Sequence, residues 1–354
     1  MSEKVLMKGN EAIAEAAIRA GCRHYFGYPI TPQTEIAAYM AKRMPKIGGT
    51  FLQAESEIAA INMVYGTAST GRRAMTSSSS PGVALKAEGI SYLAGADLPA
   101  LIVNVQRGGP GLGGIQPSQS DYHFMTRGPG HGDFRVIVLA PATVQEMADM
   151  TRKAFELAEK YRMPAMLLAD GTMGQMMEPV TLPEDEVSPE SVMEGKPWAT
   201  TGTEMKRKHN IVNSLYLKPD ELEKTNIARY ERYERLCAEE TRWEEYLMDD
   251  AEICVVSTGI TARVSKNAIV EARKRGIKVG MIRPITLFPF PSAPLAKAAE
   301  KVRSFLTVEL NMGQMSEDVA LAIKSAKPIA KCNRVGGMIP STDEVVEAIV
   351  KLGR

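Results

Sequence analysis

Residues 74–107 read AMTSSSSPGVALKAEGISYLAGADLPALIVNVQR, and strand, helix and strand succeed one another within them. Residues 74–76 form a strand that runs into four serines, Ser77 to Ser80, after which Pro81-Gly82 open a helix. Residues 98–105 then make a continuous strand, apolar but for Asn104, that leads to Arg107. A strand apolar on both faces belongs inside a parallel sheet, where helices cover each side. The alternation continues in both directions. Upstream, an alanine-rich helix over 10–20 stops at Gly21, and a strand over 23–28 ends in Gly27-Tyr28-Pro29. Thr31-Pro32 open a second helix as N-cap and first helical residue. A strand over 51–54 feeds a helix over 56–69, in which Ile58, Ile61, Val64 and Tyr65 recur at helical intervals. Downstream, strand 135–139, helix 144–161 and strand 164–168 complete an α/β unit.

Residues 184–250 break this pattern. They include KPWATTGTEMKRKHN and a charged run, 220–248, that reads as one long surface helix packing through Leu222, Ile227, Tyr230, Tyr233, Leu236 and Trp243. The charge clusters at 206–208 and Glu239-Glu240 read as solvated faces. From residue 251 the alternation resumes, interrupted by the proline-rich loop Phe288-Pro289-Phe290-Pro291. The expected organisation is α/β: a parallel-sheet unit over 1–183, a charged, partly helical linker over 184–250, and a smaller parallel-sheet unit over 251–354.

The 354 residues suffice for two domains with separate cores. Lysine and arginine number 43 against 42 aspartates and glutamates, so no global field favours nucleic acid or an anionic membrane. No apolar run approaches the roughly 18 residues of a membrane span, and residues 1–17 lack the pattern of a signal peptide. A cytoplasmic protein is expected. Cys22, Cys237, Cys254 and Cys332 are far apart, which excludes the clustered thiolates of zinc or iron–sulfur sites. His24, His123, His131 and His209 form no ligand pattern either, so no metal site is expected.

No P-loop occurs, and the glycine cluster at 108–114 lacks the G-x-G-x-x-G register; it reads as a mobile loop or as a backbone nest for an anion. The serines at 77–80 either cap the next helix or present hydroxyls at its positive end. Two side chains stand out. Glu57 falls in the first turn of an apolar helix, where it complements the dipole or sets its carboxyl against Ile58-Ala59-Ala60-Ile61. Arg107 sits at the carboxyl end of the most apolar strand, where α/β proteins bind ligands; it suits a carboxylate ligand or a structural partner.

Taken in order, Gly27-Tyr28-Pro29-Ile30-Thr31-Pro32, Glu57-x-x-Ala60, Ser80-Pro81-Gly82 and the strand ending in Arg107 resemble the first domain of 2-oxoacid:ferredoxin oxidoreductases. RPITLFPFP at 283–291 and VELNMGQM at 308–315 resemble that family's transketolase-C-terminal-like domain. The chain resembles the α subunit of the multi-subunit enzymes, and KPWATTGT with HNIVNSLYLKP resembles the 2-oxoisovalerate, branched-chain type. The resemblance implies a pyrimidine-binding domain for thiamine diphosphate. Glu57 would hold N1′ of the aminopyrimidine, because a carboxyl exchanges a proton there as neither lysine nor glutamine does. Thr31 and Arg107 would contact the 2-oxoacid, and Tyr28 and Pro29 would wall the pyrimidine.

The implied reaction is oxidative decarboxylation, in which carbon dioxide leaves, two electrons pass to iron–sulfur clusters and coenzyme A takes the acyl group. This chain shows no G-D-G…N motif; Gly132-Asp133-Phe134 is not one. A β subunit would therefore supply diphosphate and Mg²⁺ binding. Clusters would reside only in partner subunits, among them a γ subunit and a ferredoxin-like δ subunit, with external ferredoxin as acceptor. The alternatives are a 2-oxoglutarate or pyruvate enzyme, a transketolase or other decarboxylase component, and a non-catalytic scaffold subunit.

Overall fold

Leu101–Gln106, buried at all six residues, is the middle strand of a seven-stranded sheet. In the computed structural model, which describes residues 4–183 and 186–353, the strands stand in the order Thr286–Phe288, Ile137–Leu139, Ala165–Asp170, Leu101–Gln106, Ala74–Ser78, His24–Gly27, Thr50–Gln53. Neighbours are parallel except for Thr286–Phe288, which pairs antiparallel with Ile137–Leu139. One face of the sheet packs on Ile61, Val64, Ile90 and Leu93, the other on Ile13, Ile36, Met147 and Phe155. Burial on both faces is why Leu101, Ile102, Val103 and Val105 are apolar, while buried Asn104 and Gln106 carry hydrogen bonds toward the carboxyl end.

A second sheet runs Ile329–Asn333, Ser304–Glu309, Ile253–Ser257, Val279–Pro284, Trp243–Tyr246, the last strand antiparallel. A separate two-stranded ladder joins Lys4–Lys8 to Met177–Thr181. No helix of the described residues is long and apolar enough to cross a membrane.

Four local expectations change. The second helix is Thr34–Arg43, with Gln33 and not Thr31 as N-cap, two residues later than expected, because side chains from elsewhere take the Pro32 carbonyl: Asn10 Nδ2 at 2.8 Å and Gln175 Nε2 at 3.3 Å. The long charged helix is Pro219–Glu240, not 220–248; Trp243–Tyr246 leaves it to edge the second sheet, where Glu244 meets Arg283 at 2.7 Å. Glu240 is buried rather than solvated, paired with Lys160 at 2.8 Å. Ile58 is 51% exposed, so the buried stripe of Glu57–Ser69 is Ala60, Ile61, Val64 and Ala68.

The motifs after residue 280 join the two sheets. Arg283, 3% exposed, grips Glu146 with both terminal nitrogens, at 2.6 and 3.0 Å. Leu310 N donates to Gln119 Oε1 at 2.9 Å, Asn311 Nδ2 to the Gln119 carbonyl at 2.9 Å, and Gln314 Nε2 to the Ser120 carbonyl at 2.8 Å. The loop after Ser304–Glu309 is thereby locked to the segment that follows the glycine cluster.

Candidate active site

The candidate residues come together at the carboxyl edge of the large sheet, the general ligand edge of open α/β folds. Gln53 ends a strand, and Ser56 begins the next helix by accepting a hydrogen bond from Ala59 N at 3.2 Å. That cap turns Glu57 inward, where it is 5% exposed. Its carboxylate lies against the start of the helix Ser80–Leu85. A Cβ placed on Gly82 would stand 2.5 Å from Glu57 Oε1 and 2.3 Å from Ser78 Oγ. Glycine in Ser80-Pro81-Gly82 is thus required by close approach. The Ser78 hydroxyl beside it is buried without a partner.

Arg107 is also buried. One terminal nitrogen donates to the Thr31 carbonyl at 3.1 Å, the other to the Leu112 carbonyl at 3.2 Å, and Nε has no partner. Among the described residues it forms no ion pair. Leu112 belongs to the glycine cluster, which folds back through Gly114 N to Gly108 O at 2.9 Å and presents a carbonyl to the guanidinium. The cluster therefore holds a cation, which is the reverse of an anion nest.

Thr31 meets Arg107 through its carbonyl and not its hydroxyl. Tyr28 and Pro29 are exposed at the rim. The Tyr28 carbonyl accepts from Gln33 Nε2 at 3.3 Å, and buried Gln33 also accepts from Ser77, itself 2.7 Å from the Tyr25 hydroxyl. Gln33 carried no sequence signal. Neither did Asp121, which accepts from Ser80 Oγ at 2.6 Å and Asn104 Nδ2 at 2.9 Å. Burial pushes its carboxyl above the usual aspartate value, and those two hydrogen bonds oppose the shift. Lys86 is a third omission, fully buried one helical turn after Gly82; a lysine inside GVALKAEGI was its one visible trace.

Beside Arg107 opens a cavity of 670 Å³ that reaches the second sheet's loops. Its charged lining residues are Arg107 and Asp121; Ala84, Phe124, Leu310, Met312 and Val335 make it largely apolar.

A split-gene transketolase superposes with a TM-score of 0.60 over 98% of the chain at 15% identity, a likeness of fold alone. Residues 15–243 match the family described as pyruvate flavodoxin/ferredoxin oxidoreductase, thiamine diphosphate-binding, and 251–345 match pyruvate:ferredoxin oxidoreductase core domain II. The chain belongs to the 2-oxoacid:ferredoxin oxidoreductases, as an oxidoreductase subunit. It is 50% identical to the ketoisovalerate oxidoreductase subunit VorB of Methanothermobacter thermautotrophicus, over 97% of this chain and 96% of that one. The 2-oxoglutarate synthase subunit KorA of the same organism is 37% identical over the whole of both chains. The 2-oxoglutarate:ferredoxin oxidoreductase of Magnetococcus marinus, solved with 2-oxoglutarate, coenzyme A and succinyl-CoA bound, gives a TM-score of 0.85 at 27% identity, covering all of this chain and 66% of that one.

Proposed function

We propose that this chain is the α-type subunit that holds the pyrimidine end of thiamine diphosphate on Glu57 and the carboxylate of a branched-chain 2-oxoacid on Arg107. The complex would convert 2-oxoisovalerate and coenzyme A to an acyl-CoA and carbon dioxide while reducing ferredoxin. The observation that carries this reading is Arg107: a buried guanidinium satisfied only by neutral carbonyls, with a buried N–H left over. Burying an uncompensated charge costs several kcal/mol, on the order of what a substrate carboxylate returns.

The pyrimidine fits the other end. Glu57 supplies a buried carboxyl, Gly82 lets the backbone of the next helix come directly against it, and Ser78 offers an unused hydroxyl. Thiamine diphosphate supplies a nucleophilic carbon when bound. Glu57 gives or takes the proton at the ring nitrogen that this activation needs. Arg107 orients the oxoacid by its carboxylate, with the Thr31 hydroxyl near the carbonyl oxygen and Tyr28 and Pro29 beside the pyrimidine. The largely apolar cavity suits an aliphatic chain, and among the described residues Arg107 is the one cation that lines it.

Diphosphate, Mg²⁺ and iron–sulfur clusters are assigned to partners: a β subunit, a γ subunit and a ferredoxin-like δ subunit. The exposed apolar residues Tyr28, Ile58, Leu112, Ile115 and Met312 around the site favour a protein partner there. The division into 1–183, 184–250 and 251–354 and a cytoplasmic location belong to the same proposal. A substrate panel on the complete complex tests it: 2-oxoisovalerate should exceed 2-oxoglutarate, pyruvate and an aryl pyruvate in kcat/KM, and a preference for 2-oxoglutarate would overturn the substrate assignment.

A further inference from the structure

Lys86 is the one lysine among the buried polar and charged side chains, at 0% exposure. It stands at the junction of the helices Ser80–Leu85 and Ala87–Gly95, its N–H bonded to the Val83 carbonyl and its carbonyl to Ile90 N. Both neighbouring turns therefore fix its direction. Its ammonium donates to Thr76 Oγ1 at 2.9 Å, and among the described residues no carboxylate lies within ion-pair distance. The charged group acting on it is Glu57, whose carboxylate abuts Gly82 four residues earlier on the same helical face. Glu88, on the following helix, is exposed and bonded to Tyr92.

We propose that Lys86 is a positioning residue for Glu57: the buried ammonium on Thr76, one helical turn past the glycine against which the carboxylate lies, supplies the positive charge that keeps Glu57 in place for the pyrimidine of thiamine diphosphate. The proposal rests on the assignment of Glu57 to that ring. An unpaired buried ammonium is a burden on folding, and an apolar side chain of similar length is neutral or stabilising in such places. Burial pulls its ammonium down to about 8, with the Glu57 carboxylate opposing. The folded chain thus binds this proton less tightly than the unfolded one. The ammonium is present at neutral pH and is lost as pH rises through 8, within the range of an ordinary titration.

The test uses the assembled, cofactor-free complex. Thiamine diphosphate is titrated at pH 7 and pH 9 into the wild type and the variants Lys86→Met, Lys86→Arg and Glu57→Gln. The wild type should bind up to about tenfold more weakly at pH 9, one unit of charge preference being a factor of ten. Lys86→Met should bind weakly at both values, and Lys86→Arg, charged throughout, should lose the pH dependence while keeping tight binding. With the cofactor restored, Lys86→Met should lower kcat about tenfold and leave KM for 2-oxoisovalerate unchanged. If Lys86→Met does not assemble, Lys86→Arg decides alone: the wild-type pH dependence retained in it overturns the proposal. Weak binding by Glu57→Gln beside wild-type profiles in both lysine variants overturns the role of Lys86 and leaves the site standing. Wild-type binding and turnover in Glu57→Gln would instead overturn the assignment of Glu57, and this proposal with it.

Discussion

Arg107 donates a hydrogen bond to the Thr31 carbonyl at 3.1 Å, joining positions 76 residues apart in the chain at the carboxyl edge of one sheet. Thr31 follows the strand His24–Gly27 and Arg107 follows Leu101–Gln106, so parallel pairing through Ala74–Ser78 brings both strand ends to the same rim. The contact fixes the guanidinium without neutralising it. In the reading developed above, that remaining charge is what recognises the oxoacid.

Arg107→Gln removes the charge and keeps a donor. The substrate carboxylate then loses a charge-assisted pair worth about 1.5–3 kcal/mol, so kcat/KM for 2-oxoisovalerate should fall by roughly one to two orders of magnitude. Thermal stability should stay level or rise, since a buried unpaired charge is gone. Steady-state kinetics with a viologen dye, run beside a thermal melt, check both halves; unchanged kcat/KM would remove Arg107 from the substrate site.

Gly82→Ala tests the cradle of Glu57. The new methyl group would sit 2.5 Å from Oε1 of Glu57 and 2.3 Å from Oγ of Ser78, and neither can withdraw freely from a packed interior. The expected cost is about 1–3 kcal/mol of stability, together with weakened retention of thiamine diphosphate on gel filtration of the complex. Full retention would place the pyrimidine elsewhere.

Asp170 caps two helices, Gly171–Gln175 and Gly259–Lys274, accepting from Met173 N at 3.0 Å and from Ile260 N at 3.1 Å. Asp170→Ala strips both caps, at about 0.5–2 kcal/mol per helix. Chemical denaturation should show the unfolding free energy falling by the sum of the two. A loss no larger than one cap would mean that the unit containing Gly259–Lys274 does not depend on this carboxylate.

Glu159 links the chain beyond residue 186 to the large sheet's layer through Arg73 at 2.6 Å and Lys196 at 2.5 Å. Burial raises its carboxyl, but the two cations outweigh it and hold the folded-state value below the ordinary 4.5. The folded chain therefore binds this proton less tightly than the unfolded chain. The stabilisation is complete above about pH 4.5 and is lost as pH falls through the lowered folded value. Glu159→Gln should destabilise at pH 7 by about 1–3 kcal/mol, with the gap to wild type closing in acid. A gap constant from pH 7 to pH 3 would show that ionisation has no part in the link.

The sheet and two of its edge residues were readable because their signals are local. Residues 98–105 are apolar except for Asn104, and Glu57 and Arg107 come shortly after strands, so their place at the carboxyl rim needs only the direction of the chain. The short strand Thr286–Phe288 was hidden among prolines, and its partner Ile137–Leu139 lies about 150 positions away. Trp243–Tyr246 carries two glutamates that read as helix surface until Arg283 and Lys266 arrive from other elements to pair with Glu244. Gln33, Lys86 and Asp121 escaped for the same reason. Each is polar, buried and satisfied by a partner that periodicity does not identify: Ser77, Thr76 and Asn104 respectively.

The central claim is that Glu57 exchanges a proton with the cofactor in a site completed by partner subunits. The most direct measurement is 2-oxoisovalerate-dependent ferredoxin reduction by the reconstituted complex carrying Glu57→Gln, with assembly verified by size. In a complex that still assembles, kcat should fall by about a hundredfold or more. Near-wild-type turnover in that assembled variant would contradict it.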